Sequence, residues 1–410
     1  MIKISKVSTI IVIIYILIYA ETWGDKHVVL YGASLVAIGG IALHWLSNNC
    51  IDLSYVPYGI WNNLIMVAYS IVTGIFVAAN YSALITSCIT YASFSFVCIA
   101  ICYISTIEHS FDWIFNLLIV IALFSFFYML FFGVEWTGYG KTLSRRNNPH
   151  VFAGVMSLGV FSVAFKCEKL DIREYFISGA FILMFFYGVL ECGSRKYLLA
   201  CGFLVAIWMM TYSLNIWRKN EKNQRVYVVV VLTACILFAV YYFLNEYQQS
   251  STHARMLNAD DAGNINRIYF YKQAFLIFQT SPLIGGGYDQ FKFWSGTGGY
   301  AHSTYAEALA DFGFIGSVLY FSPIIFASYR IIRKAILEKK DVKTRYKNHL
   351  MAALCLSEYF IAVGQIFFME FFLFITWTIL FYFDFSSQRA GITAAQKPYQ
   401  KDNRKCKYIL

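Results

Sequence analysis

The sequence predicts an all-α integral membrane protein, a single bundle of about twelve transmembrane helices carrying one long external loop. Three observations lead there. Hydrophobic residues make up 59% of the 410 residues and charged residues only 14%, where a soluble globule carries roughly 25% charged residues to wet its surface. The apolar residues are gathered into runs long enough to cross a bilayer. Lys and Arg are then divided unevenly between alternate connections. The same composition excludes disordered, collagen-like and disulfide-scaffold classes. Most of the ten cysteines, including Cys88, Cys98, Cys102, Cys201, Cys235 and Cys355, lie inside apolar runs, where Cys behaves as a small hydrophobe.

A crossing helix needs about 20 apolar residues. Walking the chain with that ruler gives spans at 5–21, 28–46, 60–79, 83–106, 113–133, 150–165, 174–192, 197–217, 226–244 and 312–334. The first follows Lys3 and Lys6 as a signal peptide does, but no small-residue cleavage site succeeds it, so it is read as a retained helix. The apolar stretch from Leu350 to Phe385 is too long for one helix and is interrupted by Glu358, Gly364, Gln365 and Glu370, which divides it into 350–368 and 370–386. Glu358, Gln365 and Glu370 are costly in lipid and are expected to face the bundle interior.

Twelve spans put both termini on one side. With the N-terminus in the cytoplasm, 23 of the 33 Lys and Arg fall on cytoplasmic segments and 10 outside, as the positive-inside rule requires. The bias singles out cations on the disfavoured side: Arg145, Arg146, Arg195, Lys196, Arg255 and Arg267. The chain reads as one integral membrane domain, 1–410, within which residues 245–311 form the one long external segment.

Within that segment, Asn264 or Asn266 is placed to cap a helix running to about Phe278, stopped by Ser281-Pro282. Arg267 sits in its first turn, either snorkelling at the membrane surface or held there for a ligand. Gly285-Gly286-Gly287 and Gly296, Gly298 and Gly299 match no phosphate-loop fingerprint and read as hinges. His302 precedes a helix expected to begin with a capping box of Thr304 and Glu307. Unpaired N–H groups and the positive end of the dipole there favour an anion and a neutral imidazole, a form suited to taking a proton from a hydroxyl. A histidine without a task is the alternative.

Arg195 and Lys196 follow Gly193-Ser194 at the mouth of the eighth span, as a clamp for a diphosphate or as snorkelling helix-end cations. Arg145 and Arg146 either extend that basic mouth or contact lipid headgroups. Asp260-Asp261 is a lone acidic pair. No metal-ligand spacing or nucleophile motif is present in the sequence, so neither a metal nor a cofactor is expected.

The order of these features resembles the O-antigen ligase/polymerase superfamily of bacterial surface-polysaccharide assembly. An SR pair opens a span in GSRKYLLACGFLVAIW (193–208), a long external loop carries an arginine-led helix and SPLIGGGYDQF (281–291), and a histidine leads into HSTYAEALADFGFIGSVLYF (302–321). The motif-bearing part covers roughly residues 145–330. Lys196 stands where a small residue is frequent in that family, and Ser303 where Asn is usual.

The resemblance implies a GT-C-like fold in the bacterial inner membrane, with the site on the external face. It implies a metal-independent inverting glycosyltransferase whose donor is a glycan on undecaprenyl diphosphate. Arg195 and Arg267 would engage the diphosphate and His302 would activate the acceptor hydroxyl of a glycan or lipid. Membrane lipids, a chain-length regulator and a flippase of the same pathway are the implied partners, and nucleic acid is not. The leading expectation is a polymerase of lipid-linked repeat units, because the aromatic-rich chain matches ligase patterns only loosely. The alternative is a ligase moving the glycan to lipid A-core. A lipid-linked oligosaccharide flippase comes third, since the halves lack symmetry.

Overall fold

The computed structural model describes residues 56–107, 111–132, 149–219, 262–338, 341–365 and 371–396 apart from a few positions, with a hairpin inside 135–142 and isolated helical positions between 32 and 39. In chain order come α1 (Tyr58–Val77), α2 (Tyr81–Ile107), α3 (Asp112–Phe132), the strands β1 (Glu135–Thr137) and β2 (Gly140–Thr142), α4 (Pro149–Lys166), α5 (Ile172–Glu191), α6 (Arg195–Lys219), α7 (Ala262–Thr280), α8 (Phe291–Trp294), α9 (Thr304–Leu337), α10 (Val342–Ala362) and α11 (Phe371–Gln396). The strands pair antiparallel with Trp136 opposite Lys141; every other described element is a helix.

Among the described residues, five segments are long and apolar enough to cross a membrane: Tyr58–Val77, Tyr81–Tyr103, Asp112–Phe131, Arg173–Glu191 and Thr304–Leu337, with His150–Lys166 a shorter apolar helix. The stretch after Leu350 does divide into two helices, α10 and α11, although α10 starts earlier than expected and ends at Ala362. The spans expected at 5–21 and 226–244, and most of 28–46, lie outside the described residues.

Lipid gives helices no hydrophobic reason to associate, so small residues that admit a neighbour set the packing. At Gly159 an added Cβ would stand 2.5 Å from Ala122 Cβ and 2.9 Å from the Phe185 ring, which is where α3, α4 and α5 meet. Buried aromatic rings fill the interior, among them Tyr91, Phe94, Phe115, Phe161 and Phe185.

Cross-links separate two ends of the bundle. At one, Tyr346 donates to the Ala164 carbonyl (2.7 Å), Tyr212 donates to the Asp171 carbonyl (2.9 Å) and to Glu174 (3.0 Å), and Arg330 grips Asp384. Asp171 caps α5 by accepting from Glu174 N, and Asp341 caps α10 by accepting from Thr344 N. This is the end where the cation-rich connections 166–173 and 330–347 gather. The other end holds the start of α6, the start of α9 and the finish of α10.

The feature that shapes this second end is a break in α9. Gly313 (φ 62°, ψ −164°) interrupts the helix, leaving a short arm, 304–312, and a long one, 314–337. A break frees backbone groups that lipid cannot satisfy. Here the Pro-Leu-Ile-Gly-Gly-Gly segment satisfies them: Phe314 N donates to Pro282 O (2.8 Å) and Ile315 N to Leu283 O (3.0 Å), while Gly286 N and Gly287 N donate to Ala310 O (2.7 Å) and Asp311 O (2.9 Å). These glycines, expected to be hinges, form a clasp. An added Cβ at Gly285 would stand 2.5 Å from the Asp311 backbone, so the clasp depends on backbone meeting backbone.

Candidate functional site

Two buried acids lock the loop that carries His302. Asp311 accepts from Asp289 N (2.8 Å) and Phe291 N (3.0 Å). Asp289 in turn accepts from Ser87 Oγ (2.6 Å) and Lys292 Nζ (2.7 Å), which ties the loop to α2. Glu307 accepts from Ala301 N. The capping box expected at Thr304 and Glu307 is displaced by one residue: Ser303 is the N-cap of α9, accepting from Ala306 N. That shift releases Thr304 for a different task, since its Oγ1 donates to Gln365 O at 2.6 Å.

His302 sits immediately before the cap with φ 56°, a conformation uncommon for a residue with a side chain and often found where function demands it. Its ring is flanked by Tyr300, with centroids 4.7 Å apart, and by Phe270 of α7, at 5.8 Å. Neither imidazole nitrogen bonds to a described residue. Burial pushes the imidazole pKa down, and the positive charges of Arg267 and Lys196 beside it push further, to about 4. The ring is therefore neutral at pH 7, with a lone pair to accept a proton.

Those two charges arrive on different helices. Arg267 lies one turn before Phe270 on α7, half-buried, and forms no ion pair with a described residue. Lys196 lies in the first turn of α6. Its ammonium reaches across to the end of α10, donating to Gly364 O and Gln365 Oε1. Gly364 permits this approach, because an added Cβ would stand 3.3 Å from Lys196 Cδ. Tyr271, also on α7, donates to Val363 O at 3.2 Å. The tripeptide Val363-Gly364-Gln365 thus receives side chains from α6, α7 and α9, and it brings Lys196, Arg267 and His302 into one neighbourhood.

Arg195, the preceding residue, opens α6 and is half-buried. Ser194 before it is buried and bonds His150 at the start of α4, Oγ to Nδ1 at 2.8 Å, which holds the SR turn against the bundle. Arg145, Arg146, Asp260 and Glu370 lie outside the described residues. Sequence reasoning gave no positional role to His150, and it had Gln365 only as an interior polar residue. The signals were present: a histidine opening a span, and a glutamine beside a glycine where a span should end.

Glu358 does face the interior. It lines a cavity of about 20 Å³ with Ser157, Tyr197 and Ser357, about the size of one water molecule. Glu358 Oε2 and Ser157 Oγ have no hydrogen-bond partner among the described residues.

A base, a half-buried guanidinium and the first turn of a helix bearing two cations are what transfer from an anionic leaving group requires. No curated protein matches the chain. A family model described as O-antigen ligase matches residues 179–321, a stretch containing Arg195, Lys196, Arg267 and His302. Residues 179–321 are thus similar to the O-antigen ligase family, which supports the O-antigen ligase/polymerase superfamily for this part of the chain.

Proposed function

We propose that the protein is a membrane glycosyltransferase that joins oligosaccharide repeat units carried on undecaprenyl diphosphate, using no metal. The observation that supports this most is the neutral His302 imidazole standing beside Arg267 and Lys196 within the segment that matches the family. In the reaction, a hydroxyl of the acceptor sugar attacks the anomeric carbon of the donor. The new C–O bond forms as the bond to the lipid diphosphate breaks, the diphosphate leaves with the electron pair, and the hydroxyl proton passes to His302. Attack opposite the leaving group inverts the anomeric configuration. Arg195 and Arg267 grip the diphosphate, because guanidinium matches phosphate oxygens in bidentate fashion, and fixed charges stabilise what develops in the transition state.

The same reading gives a twelve-span GT-C-like bundle in the bacterial inner membrane, both termini cytoplasmic and the site on the external face. On this reading Arg145 and Arg146, outside the described residues, join the diphosphate-binding set. A chain-length regulator and a flippase are the partners proposed for the pathway.

The test is a chain-lengthening assay with purified protein and lipid-linked glycan in detergent, where no second compartment exists and transport alone yields no product. Longer glycans are expected from wild type, none from His302→Ala, and no change on adding EDTA. Activity that chelation abolishes and Mg²⁺ restores would overturn the arginine-based mechanism. The description of the matching family favours a second reading, ligation of the glycan to lipid A-core. Gene deletion separates the two: loss of the polymer ladder with a single capped repeat left means polymerase, and loss of all capping means ligase.

A further inference from the structure

The turn between α8 and α9 is stiffened by its own side chains. Ser295 Oγ and Thr297 Oγ1 stand 2.7 Å apart, and Thr297 Oγ1 reaches Gly299 O at 3.3 Å. This turn presents aromatic surface. Trp294 is 52% exposed although its indole N–H is fixed to Gly286 O at 2.9 Å, and Tyr300 is 38% exposed. The ring centroid of Tyr300 lies 4.7 Å from that of His302, with planes inclined at 55°. Two residues after Tyr300 the chain has turned through the positive φ of His302 into the cap of α9. The ring therefore borders the imidazole on a frame set by Glu307, which holds Ala301 N between them.

A pyranose has a face made of C–H bonds, and an aromatic ring presents a partly negative face that attracts them. Sugar sites need such apolar area along with a few orienting polar groups. A ring serving only to anchor the protein in the bilayer interface has no reason to border an imidazole held beside two cations. We infer that Tyr300 is the platform for the acceptor: the terminal sugar of the incoming glycan lies against its exposed ring, which delivers one hydroxyl to His302. This rests on the transferase reading above and adds to it a residue that binds the acceptor and not the lipid-linked donor.

The test uses the full-length protein in detergent with a soluble acceptor oligosaccharide, measuring acceptor KM, kcat, donor-lipid binding and the pH profile. Tyr300→Ala and Tyr300→Leu are expected to raise acceptor KM at least tenfold with donor binding unchanged, and Tyr300→Phe and Tyr300→Trp to keep KM within about twofold. Tyr300→Leu preserves apolar bulk without the ring face, so a wild-type KM in a monodisperse Tyr300→Leu preparation overturns the inference. So does a shifted acid limb at unchanged KM, which means Tyr300 only shields His302. Should His302→Ala remain active, the transferase reading itself fails. Inactive His302→Ala together with an indifferent Tyr300→Leu sinks the platform alone.

Discussion

Replacing Gly313 by alanine tests whether the broken helix holds the site together. The residue occupies φ 62°, ψ −164°, a region almost confined to glycine, and placing an L-residue there costs about 1–3 kcal/mol. The added Cβ would stand 2.4 Å from Gly285 N and 2.6 Å from both Ile284 N and Leu283 C. All three are backbone atoms, so no side-chain rotation relieves the contact. Relief requires the clasp to retreat, which lengthens the bonds from Phe314 N to Pro282 O and from Ile315 N to Leu283 O. Each buried group left without a partner costs about 1–3 kcal/mol. The combined penalty is about 4 kcal/mol, a large part of the ~5–15 kcal/mol by which folded domains are stable.

One escape exists. Alanine gains about 1 kcal/mol over glycine inside a helix, so α9 can straighten at residue 313. Straightening swings the 304–312 arm, and His302 with it, away from Lys196 and Arg267. Either outcome damages function. Thermal unfolding in detergent should show a drop of several degrees or, if the helix straightens, a near-normal midpoint. Chain lengthening should fall at least tenfold in both cases. A Gly313→Ala protein with wild-type melting and a wild-type rate would refute the reasoning.

Three further outcomes follow from the site. Burial first, then Arg267 and Lys196, depress the His302 pKa from its ordinary 6.5 to about 4. Between those values the unfolded chain binds the extra proton, so His302 costs stability as pH falls through that window; its basic form persists down to about pH 4, and in the residual activity of Lys196→Gln the acid limb of the pH–rate profile should move upward, though not fully to 6.5 because burial remains. Arg195→Ala and Arg267→Ala should each lower transfer at least 100-fold with normal expression, a loss consistent with about 3 kcal/mol of transition-state stabilisation; single-turnover rates with lipid-linked donor check this. Thr304→Val removes the 2.6 Å bond to Gln365 O and leaves that carbonyl without its hydroxyl donor, which should cost about 1–3 kcal/mol, visible as a lower unfolding midpoint.

The helical class and the order of most elements were legible because membrane spans are written in composition: runs such as 113–133 and 174–192 need no partner to be recognised, and α3 and α5 fall on them. Arg195, Lys196 and Arg267 stood out as cations in connections where few others fall, and the fold sets Lys196 and Arg267 beside His302. What stayed hidden was tertiary. Nothing local shows that Thr304 bonds Gln365 and leaves the cap to Ser303, because the choice is made by a carbonyl 61 residues away. Gly285 to Gly287 look like hinges in isolation and become a clasp only against the break at Gly313. Nothing local assigns a task to Asp311, whose purpose appears when the amides of Asp289 and Phe291 meet it.

The geometry also redistributes the work among the cations. The sequence offers Arg195 and Lys196 as a paired clamp, yet a lysine has three donors and two of those on Lys196 are engaged by Gly364 O and Gln365 Oε1. Carbonyls at a helix C-terminus are the negative end of the dipole, so the end of α10 satisfies much of that charge. Arg267, by contrast, makes no hydrogen bond to a described residue. On the proposed mechanism, Lys196 sets the frame and the arginines are the residues that grip the diphosphate. Catalysis by positioning tolerates little slack, since a misplacement of about 1 Å can cost about 100-fold. A frame in which side chains of α6, α7 and α9 converge on one tripeptide fixes the histidine arm relative to the cation-bearing turn.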